Sequence, residues 1–130
     1  MSLPTSIRSA LVGNTALNAL TGDRIFYLRF QQGDTQPAVV FRMLDNVHLT
    51  THAGTSVLLE PEVRLTLRAE RLSQIETMRQ AIIDQFIAPE VALDGYAAAH
   101  ALINDLGAEY DDKLRVYHHF ITLNLQMRTS

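Results

Sequence analysis

The chain has no cysteine. That single absence removes disulfides, thiolate catalysis and Cys-type zinc sites together. Lysine is nearly missing as well: Lys113 stands alone and every other cation is an arginine. Lys plus Arg number 11 against 14 Asp plus Glu, for a formal net charge of −3. A protein that grips nucleic acid through its phosphates needs a clustered excess of cations. Here the cations are scattered among more numerous acids, which argues against that class. No apolar run reaches the roughly 18–20 residues of a membrane span. The first residues also lack the basic-then-apolar layout of a signal peptide, so the expected compartment is the cytoplasm.

The remaining composition is that of an ordinary folded domain. The chain has 130 residues, 47% hydrophobic and 19% charged. That length matches one domain with one core, so residues 1–130 are read as a single unit. The slightly low charge leaves room for apolar or neutral surface.

Ile7, Leu11, Leu17 and Leu20 lie near helical spacing, predicting an amphipathic helix over Thr5–Leu20, with Gly13-Asn14 as a place where it divides in two. Thr21-Gly22-Asp23 is a stop, and Ile25-Phe26-Tyr27-Leu28 a short apolar strand. After the polar loop Gln31–Pro37, the stretch from Val39 to Thr50 alternates as a half-buried strand. Thr50–Ser56 is small, polar and without period, the pattern of a mobile hairpin loop.

The strictest pattern follows. Val63, Leu65, Leu67 and Ala69 alternate with Arg64, Thr66, Arg68 and Glu70, as in an antiparallel strand with one dry and one wet face. Pro61 before it predicts an edge or a bulge. Ser73-Gln74-Ile75-Glu76 has the form of a capping box and opens a helix to about Ile87. Its apolar stripe is Leu72, Ile75, Met78, Ile82, Ile83 and Phe86, and Pro89 ends it. A small-residue strand over Ala97–Leu106, an acidic turn at Glu109–Asp112 and a last strand over Leu114–Arg128 complete the chain. The expected order is α-β-β-β-α-β-β: an α+β fold with a mostly antiparallel four- to five-stranded sheet and two helices on one face.

Little in the sequence points to chemistry. His48 and His52 have helical ligand spacing but lie on a strand running into a loop, with no acid to complete a set. His118 and His119 are strand neighbours and point to opposite faces, one half-buried beside Tyr117. His100, among alanines, is expected to be packed against backbone. Asp105, Glu109, Asp111 and Asp112 form the dense acidic cluster. Its spacing lacks the alternating oxygens and central glycine of a calcium loop, so it reads first as a solvated turn. Gly33, Gly54 and Gly95 are isolated turn glycines, not a phosphate loop. The expectation is no catalytic residues, no metal and no cofactor.

Three stretches taken together resemble a known family. They are the passage from Leu20-Thr21-Gly22-Asp23-Arg24-Ile25-Phe26 into Pro37-Ala38-Val39-Val40-Phe41, the strand Pro61–Leu67 with its following helix, and Tyr110-Asp111-Asp112-Lys113-Leu114-Arg115-Val116-Tyr117-His118 entering the last strand. In order and spacing the chain resembles the small tail-completion, or tail-to-head joining, proteins of long-tailed bacteriophages, prophages and gene-transfer particles. It departs from them in carrying Leu65-Thr66-Leu67-Arg68-Ala69-Glu70 where aromatic or cysteine-containing strands are common, and in its small-sided Ala97–Ala101 run.

The resemblance implies a non-enzymatic ring subunit, expectedly a hexamer, assembled in the bacterial cytoplasm and placed at the virion tail–head junction. Its partners would be copies of itself, tail-tube and head-connector proteins, with DNA only as passing cargo. The contact candidates are Gln31, Asp34, Gln36, Thr50, Thr51, His52, Thr55, Asp111 and Asp112. The competing reading is a small ligand-binding domain or enzyme with a pocket between sheet and helices, near His48, His100 or His119.

Overall fold

The computed structural model describes residues 3–29, 37–50, 57–88 and 90–129. In chain order the elements are α1 (Leu3–Val12), α2 (Thr15–Thr21), β1 (Ile25–Tyr27), β2 (Ala38–Thr50), β3 (Val57–Ala69), α3 (Leu72–Phe86), β4 (Tyr96–Asp111) and β5 (Val116–Thr129). The five strands form one sheet in the order β1-β2-β3-β5-β4. Every neighbouring pair is antiparallel except β1 with β2.

The N-terminal helical segment divides at Gly13-Asn14, where the sequence allowed it. Asn14 caps α2, its side chain accepting from the Leu17 N–H at 3.2 Å. Its amide group also donates to the Ala81 carbonyl and to Gln85 Oε1, each at 2.9 Å, while Gln85 returns a bond to the Ala10 carbonyl at 2.8 Å. One short polar side chain thus ends α1, starts α2 and fastens both to α3.

The Ser73 capping box does not form. The first bonds of α3 are accepted by the Arg71 carbonyl, from the N–H groups of Gln74 and Ile75, so the helix begins one residue ahead of Ser73. Ser73 therefore lies inside the first turn, where its own carbonyl accepts from the Thr77 hydroxyl at 3.0 Å. The buried stripe of α3 is Ile75, Met78, Ala81, Ile82 and Phe86, whereas Leu72 is exposed and Ile83 half-buried.

The predicted alternation of β3 is observed residue by residue: Val63, Leu65, Leu67 and Ala69 are buried, and Arg64, Thr66 and Arg68 half-buried. β3 is longer than expected and central, so Pro61 is not on an edge. The proline pairs with Asn46 of β2, but toward β5 the pairing skips from Leu59–Met127 to Glu62–Asn124. A proline has no N–H to donate, and it sits where the ladder is interrupted. Two further irregularities fall within a few residues of the same crosswise row, one in β2 between Met43 and Asp45 and one in β4 between Ala97 and His100.

Strand β1 stops at Tyr27, because Leu28 has φ 79° and is exposed. Arg24 secures the parallel pairing: its carbonyl accepts from the Val39 N–H, and its guanidinium donates to the carbonyls of Pro37 at 2.8 Å and Leu20 at 3.0 Å. β4 runs on through the expected acidic turn to Asp111, so the turn itself is 112–115 and β5 begins at Val116. A bulge between Asp105 and Gly107, with Gly107 at φ 94°, makes the extension possible.

All three helices lie on one face of the sheet. The core gathers Leu3, Ile7, Leu11 and Leu17, the buried stripe of α3, and Val39, Phe41, Ile121, Leu123, Leu125 and Met127 from the strands. On β5 His119, Ile121, Leu123, Leu125 and Met127 are buried on one face, with Tyr117 half-buried beside them. Among the described residues no helix covers the other face.

Candidate interaction surface

The closest polar constellation stands where α3 meets the β4–β5 hairpin. The bulge after Asp105 breaks the period of two, so Asp105 and Ala108 both reach the helix-covered side of β4. There the Asp105 carboxylate accepts from Arg79 Nε of α3. Its other oxygen meets His119 Nε2 of β5 at 2.5 Å and the Gly107 N–H at 3.3 Å. Burial alone pushes the Asp105 carboxyl up, but the bonds from Arg79, His119 and the Gly107 amide together outweigh it and hold the group below its ordinary value of 3.8.

This cluster borders an open groove of about 420 Å³ between α3 and the hairpin, whose wall includes Ile75, Glu76, Gln80 and Ala108. Among the described residues no hydroxyl or second carboxylate joins the His119–Asp105 pair in hydrogen bonding, and the arrangement is a three-way clamp between helix and hairpin. Sequence reading placed Asp105 in a solvated acidic turn and missed the clamp. The signal was the hairpin register: a turn at 112–115 plus one bulged residue brings Asp105 beside His119.

His118, on the opposite face, accepts from Arg68 Nε at 3.0 Å. Burial first, and the Arg68 charge second, keep the imidazole below its ordinary value of 6.5, against the pull of Asp111 and Glu109. Asp111 closes the hairpin, accepting from the N–H groups of Lys113 at 2.9 Å and Leu114 at 3.0 Å. The Leu114 bond first, with that of Lys113, holds Asp111 below 3.8. Asp112 is exposed beside it.

Of the other contact candidates, Thr50 pairs with Val57 at the end of β2. Gln31, Asp34, Gln36, Thr51, His52 and Thr55 lie outside the described residues. Of the three histidines named for a pocket, the His48 side chain lies outside the described residues, and His100 and His119 fall on opposite faces of the sheet. His100 is exposed on β4, not packed as expected, because its side chain falls on the face that Ala99 and Ala101 do not share. His119 is held in the clamp. Among the described residues no group of three His, Asp or Glu side chains is placed to hold a metal ion, and no helix is long and apolar enough to cross a membrane.

The arrangement that remains is one of surfaces. β4 offers an outer edge that, from His100 to Asp111, pairs with no other described strand. At the far side of the sheet, Arg8 Nε donates to the Ile25 carbonyl at 3.0 Å and blunts β1. The helix-free face carries Arg42, Arg64, Thr66, Arg68, His118, Phe120 and Thr122. An α+β domain whose sheet, among the described residues, has helices on one face only and an unpaired β4 edge is the class that the fold defines.

No protein-family model and no curated protein sequence matches the chain. Among solved structures it is similar to a chain of the virion of a native gene transfer agent particle, with a TM-score of 0.61 at 12% identity. The likeness covers 98% of this chain and 97% of that one, so the two share a fold from end to end.

Proposed function

We propose that this chain is a structural component of a phage-like particle, a non-enzymatic subunit of a closed ring at the junction of tail and head. The observation that carries this reading is the end-to-end fold likeness to a chain of a gene transfer agent virion. A shared fold hosts many functions. The surfaces suit the role as well. A ring needs two different surfaces on each copy, related by a rotation that closes. The acidic β4 side and the arginine-bearing β2–β3 face are two such surfaces.

The partners in this reading are further copies, a tail-tube protein and a connector protein, with DNA passing through without being held. The mild negative charge agrees with a lumen that does not trap phosphate. Purified chain mixed with the tail-tube protein of its own particle is expected to give closed rings in negative stain, with sixfold class averages. Monomers persisting at every concentration, with and without that protein, would remove the reading.

A further inference from the structure

The helix-free face holds an electrostatic anomaly. Arg42 of β2 and Arg64 of β3 stand directly opposite each other in the register. Like charges placed so are destabilising. The ion pairs among the described residues are those of Asp105 with Arg79 and His119, and neither arginine takes part in one. Arg64 Nε is moreover buried from solvent with no hydrogen-bond partner. A buried donor left unmade costs free energy that nothing within the chain returns. The same crosswise row continues through Thr122 of β5 to Asn104 of β4, both of which can donate.

On the same face, at the β4 side, the charge is reversed. Glu109 is exposed and sits opposite His118, with Asp111 and Asp112 just beyond it. β4 itself carries Asp105, Glu109 and Asp111 and no Lys or Arg. Flanking this edge, Leu102 is 67% exposed and Leu106 56%. Next to the Asp45–Glu62 row, the β2–β3 part of this face thus carries Arg42, Arg64 and Arg68, and the β4 part carries carboxylates and exposed leucines.

We infer that the Arg42–Arg64 pair is a carboxylate-binding seat for a second copy of this chain, filled by Glu109 and the acidic end of its β4–β5 hairpin. Two guanidiniums side by side match a carboxylate, which pairs with both and removes their mutual repulsion. The seat and the group that fills it lie at different places on one chain, so the contact is head-to-tail, as a closing ring requires. Leu102 and Leu106 of the incoming β4 supply the apolar part of the contact. The inference rests on the ring reading above and specifies its interface.

The test uses the full-length chain, with self-association followed by sedimentation alone and with the tail-tube protein. Arg42 is exposed, so its replacement leaves the core intact; far-UV circular dichroism checks the fold of each variant. Arg42→Glu and Glu109→Arg are each expected to weaken association at least about tenfold, equivalent to about 1.4 kcal/mol. The double variant restores it, and association of the native chain falls as salt rises. If the native chain forms rings and neither reversal alters them, this contact is wrong while the ring stands. If the native chain never associates, both fall. If Arg42→Glu instead abolishes low-salt retention of a duplex DNA oligonucleotide and leaves self-association unchanged, the seat takes phosphate and the inference is overturned.

Discussion

Replacing Phe86 with alanine is expected to lower the unfolding free energy by about 3–5 kcal/mol. Phe86 is fully buried in the last turn of α3, among the largest side chains of the core. Truncation removes the transfer free energy of the ring and leaves a cavity between helix and sheet that the close-packed neighbours fill only in part. Domains of this size are stable by about 5–15 kcal/mol, so roughly a fifth of the margin or more goes with one side chain. The next residue is the control: Ile87 is 68% exposed, and Ile87→Ala is expected to stay within about 0.5 kcal/mol of the native chain. Urea unfolding followed by circular dichroism reads both. A lower midpoint at unchanged slope is the expected signature for Phe86→Ala. Equal midpoints for the two variants would mean that α3 does not close the core.

The second large effect belongs to Asp105. Asp105→Ala leaves the His119 ring, with a side chain only 8% exposed, and the Arg79 guanidinium without their shared acceptor. The expected cost is about 1–3 kcal/mol at neutral pH. Its pH dependence identifies the cause. The folded-state carboxyl titrates below 3.8, so the unfolded chain takes up the proton first as pH falls. The stabilisation is thus whole above 3.8 and is lost as pH drops through the folded value. The gap between native and Asp105→Ala chains therefore narrows in that acid window.

A separate loss begins higher on the pH scale. His118 is held below 6.5 in the fold, so the unfolded chain protonates first there too, and stability declines as pH falls below 6.5. That decline persists in Asp105→Ala. A native-to-variant gap that stays constant from pH 7 to pH 3 would show that the clamp's charge contributes nothing.

The sequence was informative where one local rule governed a segment. The β3 alternation and the existence of α3 each follow from a periodicity that packing then uses, and they appear as expected. The misreadings share one cause, which is pairing at a distance. Ser73 has every local feature of a cap, but the chain turns into the helix at Arg71, a choice made by how β3 delivers α3 to the core. Gly107 carries no pattern of its own, yet its bulge lets β4 continue to Asp111 and turns Asp105 toward Arg79 and His119.

The parallel alignment of β1 is likewise invisible locally, because it depends on Arg24 reaching the Pro37 carbonyl across the sheet edge. Of the contact candidates, the Asp111–Asp112 end could be read from turn composition. The opposed Arg42 and Arg64 could not, since only the β2–β3 register places them face to face.

The three interruptions near Pro61 have a mechanical consequence. Missing or displaced rungs at Met43–Asp45, Glu60–Pro61 and Ala97–His100 are offset from one another by a few residues and cross four strands obliquely. A sheet scored along one such line bends there before it bends anywhere else. Amides beyond the line, at Val47–Thr50 and Val57–Leu59, are accordingly expected to exchange with deuterium sooner than those of Arg64–Ala69, and as one block. Were such a molecule seated in a ring, that outer flap would be the part able to follow a neighbour's contour while the helix-backed part kept its form.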